Sequence, residues 1–206
     1  MSSLMNYLKQ EGLAATVKRA WNKAFRHADS HTVFLKVDLP EGSAEEMLGE
    51  IETLDEHNRH AFEEIKFWNF VKAEDFIGND QQSVMMLKVG DEYVAYAAEE
   101  HGAERIIHGL GSFLLKENEG WIGPVYVCKD WRGKGYNRQL LKAQMNHLCA
   151  LGATTVYTAI NSQNASSLKS FQGVGFREFG AVDSRGMIMI DTDDVLRMAY
   201  MKAEGV

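Results

Sequence analysis

Val125-Tyr126-Val127-Cys128-Lys129-Asp130-Trp131-Arg132-Gly133-Lys134-Gly135-Tyr136-Asn137-Arg138-Gln139-Leu140-Leu141 is the stretch on which the reading of this chain turns. It begins as an apolar strand, crosses a polar turn and continues as an amphipathic helix. Its hinge, Arg132-Gly133-Lys134-Gly135, removes two Cβ atoms where the helix starts. The first N–H groups of a helix lack internal partners, and the helix dipole makes that end positive. A glycine-rich entry lets an anion approach those N–H groups closely. Local physics therefore predicts a phosphate site between a strand and a helix.

Two nucleotide-binding loops are excluded by spacing. The ATP-type P-loop requires Ser or Thr after Gly-Lys, whereas Gly135 is followed by Tyr136. The dinucleotide Gly-x-Gly-x-x-Gly pattern fails because Arg138 stands where its third glycine belongs. The stretch resembles instead the acyl-CoA loop of the GNAT superfamily of N-acetyltransferases, Val-x-Pro-x-x-Arg-Gly-x-Gly-x-Gly/Ala. Val127, Arg132, Gly133 and Gly135 match it; Lys129 replaces the proline and Asn137 the last small residue. Asn164, Ser167, Phe171, Gly175 and Phe176 follow at the spacing of the family's second motif, Asn-x-x-Ala, a tyrosine, then Gly-Phe. The resemblance covers roughly residues 32–190.

The resemblance implies an α/β fold: a single domain over 32–206, with a mixed, mostly antiparallel central sheet flanked by helices. Residues 1–31 form an extra N-terminal helical extension. It also implies acetyl transfer from acetyl-CoA, or another acyl-CoA, to an amine of a small molecule or protein. Arg132, Gly133, Lys134, Gly135, Tyr136 and Asn137 are then expected at the pyrophosphate. Main-chain atoms of Tyr126 and Val127 would pair with the pantetheine arm, and Asn164, Ser167 and Phe171 would lie on the cofactor side. Asn164 reads equally as the N-cap of the next helix.

Phe171 departs most from the pattern, since relatives place there a tyrosine that protonates the departing thiolate. A thiol of pKa ~8.5 is a tolerable leaving group unaided, so transfer can survive without it, more slowly, with water or Tyr136 as the proton source. The alternative is a domain that binds acyl-CoA and transfers nothing; a third reading keeps the enzyme but changes the acyl group. Glu119, 13 residues before Arg132, is the candidate base, with His108 as a second option. No spacing of histidines and cysteines forms a metal-ligand set, so no metal is expected.

Composition bounds these readings. A chain of 206 residues with 45% hydrophobic content supports one full core. A formal charge of −7 argues against a general nucleic-acid binder. Two cysteines make no disulfide framework, and no secretory or membrane-length apolar run is read, so a cytoplasmic location is expected. Charge is uneven: within residues 1–27 five Lys and Arg side chains face one Glu11, leaving about −11 elsewhere. Leu13, Val17, Trp21 and Phe25 make one face of a helix there, with Arg19, Lys23 and Arg26 opposite. Packing on its own domain is the favoured reading of that helix, and contact with an anionic membrane surface or a protein is the other. A homodimer is left open.

Farther along, His31 to Leu39 reads as a strand. Ser43 with Glu46 reads as a capping box that opens a helix burying Met47, Ile51 and Leu54. Ala61 to Ile77 reads as a second helical region, dense in aromatics at Phe67-Trp68-Asn69-Phe70, which in the resembled fold covers the acceptor pocket. Ser83–Val89 and Glu92–Glu100 form a hairpin about Gly90-Asp91. The runs Ile106–Leu115 and Trp121–Cys128 continue the sheet, with Thr154–Ile160 a central strand. Phe176 to Ile190 makes a closing hairpin.

Overall fold

The computed structural model describes residues 31–39, 49–68, 71–102, 104–107 and 111–183. The N-terminal helix, the start of the Ser43 helix, His108 and the second half of the closing hairpin lie outside these residues. Strands β1 (His31–Asp38), β2 (Glu50–Thr53), β3 (Gln82–Val89), β4 (Glu92–His101), β7 (Glu119–Val127), β8 (Thr155–Asn161) and β9 (Arg177–Asp183) form one sheet. Their order is β2-β3-β4-β7-β8-β1-β9. Every neighbouring pair is antiparallel except β7 and β8. Helix α1 (Arg59–Ile65) precedes β3, α2 (Tyr136–Ala150) joins β7 to β8, and α3 (Ala165–Gln172) joins β8 to β9. The single parallel pair thus has the helical crossover that parallel pairing demands.

Side-chain alternation divides the core between the two faces of the sheet. On β4, Ala95 and Ala97 pack with Met85, Leu87 and Leu140 beneath α2. Tyr96 and Ala98 face the other way and pack with Phe62 of α1. The Phe62 ring meets Tyr96 edge-on at 5.2 Å, and its burial is complete. Full burial of such a side chain stabilises by ~1.5–3 kcal/mol. The turn into α1 is held by reciprocal bonds. Asp55 Oδ1 accepts from the N–H of Asn58 at 3.2 Å, and Asn58 Oδ1 accepts from that of Asp55 at 2.9 Å. Phe67 and Trp68 follow this helix and are thereby brought to the same face as Tyr126.

Three expectations need correction. Ile51 and Leu54 do not continue a helix, because Glu50–Thr53 is a strand paired with Lys88 to Met85. The apolar spacing there satisfies helix and strand alike, and the open edge of β3 decides. Ile106 to Leu115 is not one run of the main sheet: β5 (Glu104–Ile107) and β6 (Gly111–Leu114) form a separate two-stranded sheet. The second helical region is shorter than read, with α1 ending at Ile65 and only a 3-10 turn at Ala73–Asp75.

Beneath α2 the core contains an ion pair that the sequence does not announce. Glu99, 2% exposed, accepts from Ser83 Oγ at 2.9 Å and bonds His147 Nδ1. The Glu99 bond holds the imidazole pKa above its usual 6.5, against the opposing pull of partial burial. A raised pKa means that the fold prefers the imidazolium. The resulting stability is fully present below about 6.5 and is lost as pH rises through the higher folded value. Melting temperatures followed from pH 6 to 8 should show this loss in the natural chain, and His147→Gln should flatten it.

Candidate active site

A cavity opens where β7 leaves β8. The two strands pair only at Glu119↔Thr155, Gly120↔Val156 and Trp121↔Tyr157. Gly123, at φ +137, and Pro124 follow. Pro124 has no N–H to give to either neighbour. On its other edge β7 stays with β4, with a bulge between Ala97 and Glu99 that absorbs the irregularity. Beyond it, Val125, Tyr126 and Val127 form the floor of a cavity of ≈ 510 Å³.

The loop after β7 forms one end. Cys128 starts a 3-10 turn, Lys129–Trp131, and Arg132 Nε donates to Val127 O at 3.0 Å, tying the loop back to the strand. Gly133 and Gly135 take φ +78 and +88, and a Cβ on either would meet no atom within 4 Å. Positive φ is what an L side chain resists, and the open space is what a ligand needs. Gly135 is the N-cap of α2 and no side chain caps that end. The first free main-chain donor to find a helical partner is that of Gln139, which bonds Gly135 O at 3.2 Å. The N–H groups of the first turn before it are left to a ligand.

Asn164 forms the N-cap of α3, accepting from the Ser167 N–H at 3.2 Å. Ser166, Lys169 and Ser170, at helical i, i+3 and i+4, face the cavity together with Arg138 of α2. Among the described residues none that lines the cavity carries a carboxylate, while Arg132, Arg138 and Lys169 carry positive charge. In a chain of net charge −7 this is a local excess of cations. Several cations elsewhere are paired: Arg59 with Glu56 and Glu74, Lys66 with Glu63, Lys88 with Glu52, Arg177 with Asp38.

Aromatic side chains form the opposite end. Phe67, 61% exposed, stacks on Tyr126 with ring centroids 5.0 Å apart and an interplanar angle of 14°. Trp68 meets Tyr126 edge-on at 6.1 Å, and the Arg132 guanidinium lies 5.5 Å from the Tyr126 ring centroid. Tyr96 supports this group from below. Its hydroxyl accepts from the Phe67 N–H at 3.2 Å, and burial pushes its pKa up to about 12.

Of the residues singled out in the sequence, Tyr126, Val127, Arg132, Gly133, Gly135, Tyr136, Asn137, Asn164 and Ser167 line this one cavity. Lys134 does not; its ammonium sits 4.3 Å from the Trp131 ring centroid. Phe171 is buried at 2% exposure against Phe176, Leu141 and Leu148, away from the lining. Glu119 stands at the opposite end of β7 from the glycine loop. It is 4% exposed, and its carboxylate accepts from the Lys116 N–H at 2.8 Å and the Tyr157 O–H at 3.2 Å. Asn137 Oδ1 is buried without a hydrogen-bond partner among the described residues. Sequence reading passed over Arg138, Ser166, Lys169 and Ser170. The polar i, i+3, i+4 set just after Asn164 was the available signal.

Fold and cavity together describe an α/β domain with an anion-accepting chamber at the parting of its parallel strands. The chain belongs to the acetyltransferase (GNAT) family, whose model matches residues 46–176. The spermine/spermidine N(1)-acetyltransferase of Bacillus subtilis (strain 168) is 28% identical over 72 residues, 34% of this chain and 47% of that protein. The chain thus spans about half the length of the curated relatives it matches. A GNAT-family acetyltransferase from Novosphingobium aromaticivorans DSM 12444 superposes with TM-score 0.56 at 16% identity, over 74% of this chain and 61% of that one. An aminoglycoside N-acetyltransferase in complex with CoA gives TM-score 0.52 at 16% identity, over 63% and 92%. At such identities these two structures speak for the fold alone.

Two substitutions test the local construction. Asn164→Ala should cost ~1 kcal/mol through the lost cap, a fall in melting temperature of roughly 2–4 °C. Gly135→Val places a β-branched residue at φ +88, a strain of about 1–3 kcal/mol. It should melt cooperatively at a temperature below that of the natural chain.

Proposed function

We propose that this chain transfers an acetyl group from acetyl-CoA to an amine of a small molecule or protein. One observation carries the reading: a glycine-hinged, carboxylate-free, cation-lined cavity lies at the uncapped N-terminus of α2, beside strand atoms freed by the parting of β7 from β8. The residues present fit the donor substrate. Main-chain N–H groups from Arg132 to Asn137 would take the pyrophosphate, with Arg132 and Lys134 adding charge. Arg138 and Lys169 stand close enough to the same chamber to neutralise further phosphate charge. Main-chain atoms of Tyr126 and Val127 would hold the pantetheine arm as an added strand, and Asn164 and Ser167 would support it from α3. Acetyl-CoA supplies the activated acyl group; the chain binds it, orients it and manages protons.

The amine must be neutral to attack. Glu119 does not line the cavity, so in this proposal its carboxylate receives the amine proton through water. A second reading, acyl-CoA binding without transfer, is favoured by the absence of a hydroxyl at Phe171 and by that side chain's place in the core. A cytoplasmic location, a boundary near residue 31, and an added contact made by the basic segment 1–27 belong to the same proposal. No helix of the described residues is long and apolar enough to cross a membrane.

Ligand that binds only the folded chain, at about 100 times its dissociation constant, adds ~2.7 kcal/mol. At ~2–4 °C per kcal/mol the melting shift with CoA should be about 5–10 °C. Pantetheine, which lacks the pyrophosphate, should lose most of it. Thiol release from acetyl-CoA across a panel of amines then separates transfer from binding: none above background, with CoA bound, supports the second reading.

A further inference from the structure

We infer that Tyr126 is the proton donor to the departing thiolate; this rests on the acetyl-transfer reading above. The phosphates of the donor belong at the charged end of the cavity, with Gly133, Gly135, Arg138 and Lys169. The thioester accordingly lies toward the aromatic end, where Phe67, Trp68 and Tyr126 form the wall. A thiolate can leave unaided, but a hydroxyl lining that end speeds its departure by protonating it. Phe171 offers none, and its ring is packed in the core. Tyr96 is fully buried below the wall and does not line the cavity. Ser166 and Ser170 are engaged, through Asn164 Oδ1 and Ser166 O respectively, on α3 at the phosphate end. Tyr136 follows Gly135 at the start of α2, also at that end, with its ring against Trp131 at 6.0 Å.

Tyr126 remains. Its ring is fixed on one side by Phe67 at 5.0 Å, at its edge by Trp68, and by the Arg132 guanidinium 5.5 Å from its centroid. No hydrogen bond engages its hydroxyl among the described residues. A ring held on several sides with an uncommitted O–H is a pre-oriented donor. In the step, the amine nitrogen forms a bond to the acetyl carbon and the carbon–sulfur bond breaks, its electron pair staying on sulfur. The Tyr126 proton passes to that sulfur, giving the free thiol. The proton lost by the nitrogen returns through solvent to the phenolate, so nothing further is consumed.

Tyr126→Phe removes one oxygen and leaves the stacked ring in place. Turnover of acetyl-CoA with an accepted amine should fall by about 10²–10⁴-fold in kcat, with KM for acetyl-CoA and the melting shift given by CoA close to those of the natural chain. A second readout needs no turnover. The thiol pKa of bound CoA, titrated by the ultraviolet absorbance of its thiolate, should be lower in the natural chain than in Tyr126→Phe, because the phenol stabilises the thiolate. Equal kcat in the two forms, an unchanged thiol pKa, or a larger kcat loss in Tyr136→Phe would overturn the assignment while leaving acetyl transfer standing. A natural chain that gives no CoA shift, or that binds CoA and releases no thiol with any amine, would bring down the transfer reading and the assignment with it.

Discussion

Strand β7 holds β4 along most of its length but holds β8 across only three residue pairs. That asymmetry creates the site. A strand interior to a sheet normally spends its main-chain donors and acceptors on two neighbours. Past Trp121, β7 spends them on one, and the backbone of Val125 to Val127 lines a cavity instead. Gly123 and Pro124 sit at the break, one allowing a positive φ and the other lacking a donor. Chain that leaves the parted strand must return to β8 in parallel, and a crossover helix is the way to do so. The uncapped end of α2 therefore arrives beside the backbone that β8 has released.

Electrostatics follow from the same geometry. The chamber gathers Arg132, Arg138 and Lys169 with no carboxylate among the described residues of its lining, although the chain as a whole is acidic. Arg59, Lys66, Lys88 and Arg177, by contrast, each answer a glutamate or aspartate at 2.5–3.6 Å. Unanswered positive charge at a helix N-terminus is costly by itself and becomes favourable when a polyanion arrives. The opposite end is organised by rings rather than charge. Phe62 and Tyr96 form a buried base, on which Phe67, Trp68 and Tyr126 are set edge-on and stacked. The cavity thus has a charged end, built from the loop, α2 and α3, and an aromatic end.

The side of the sheet beneath α2 carries a different demand. Leu140, Leu141 and Leu148 bury fully against it, yet the same helix also buries Gln144 and directs His147 at Glu99. Removing one partner of a buried charge leaves the other without compensation, which costs more than the pair contributes. The pair ties α2 to β4, and the glycine loop depends on where α2 begins.

How much of this was legible follows from the range of each interaction. The strand, the two left-handed glycines and the helix after them are local, and residues 125–141 alone determined them. Asn164 as a cap and the hairpin about Gly90-Asp91 are local too, and each is found as read. Most of the cavity-lining residues were reachable because two motifs, each short, frame a single crossover. What the sequence left open is non-local. Ile51 becomes strand because β3 offers it an edge, and β5 with β6 forms its own small sheet. Phe171 turns to the core and Tyr126 to the cavity, a choice made by helix rotation and strand alternation against neighbours far along the chain. Glu99 and His147 are 48 residues apart and meet only when α2 lies on β4. The sequence by itself determined where an anion could be held; only the tertiary structure decided which side chains share that chamber, because pairing and burial, not spacing, bring them to it.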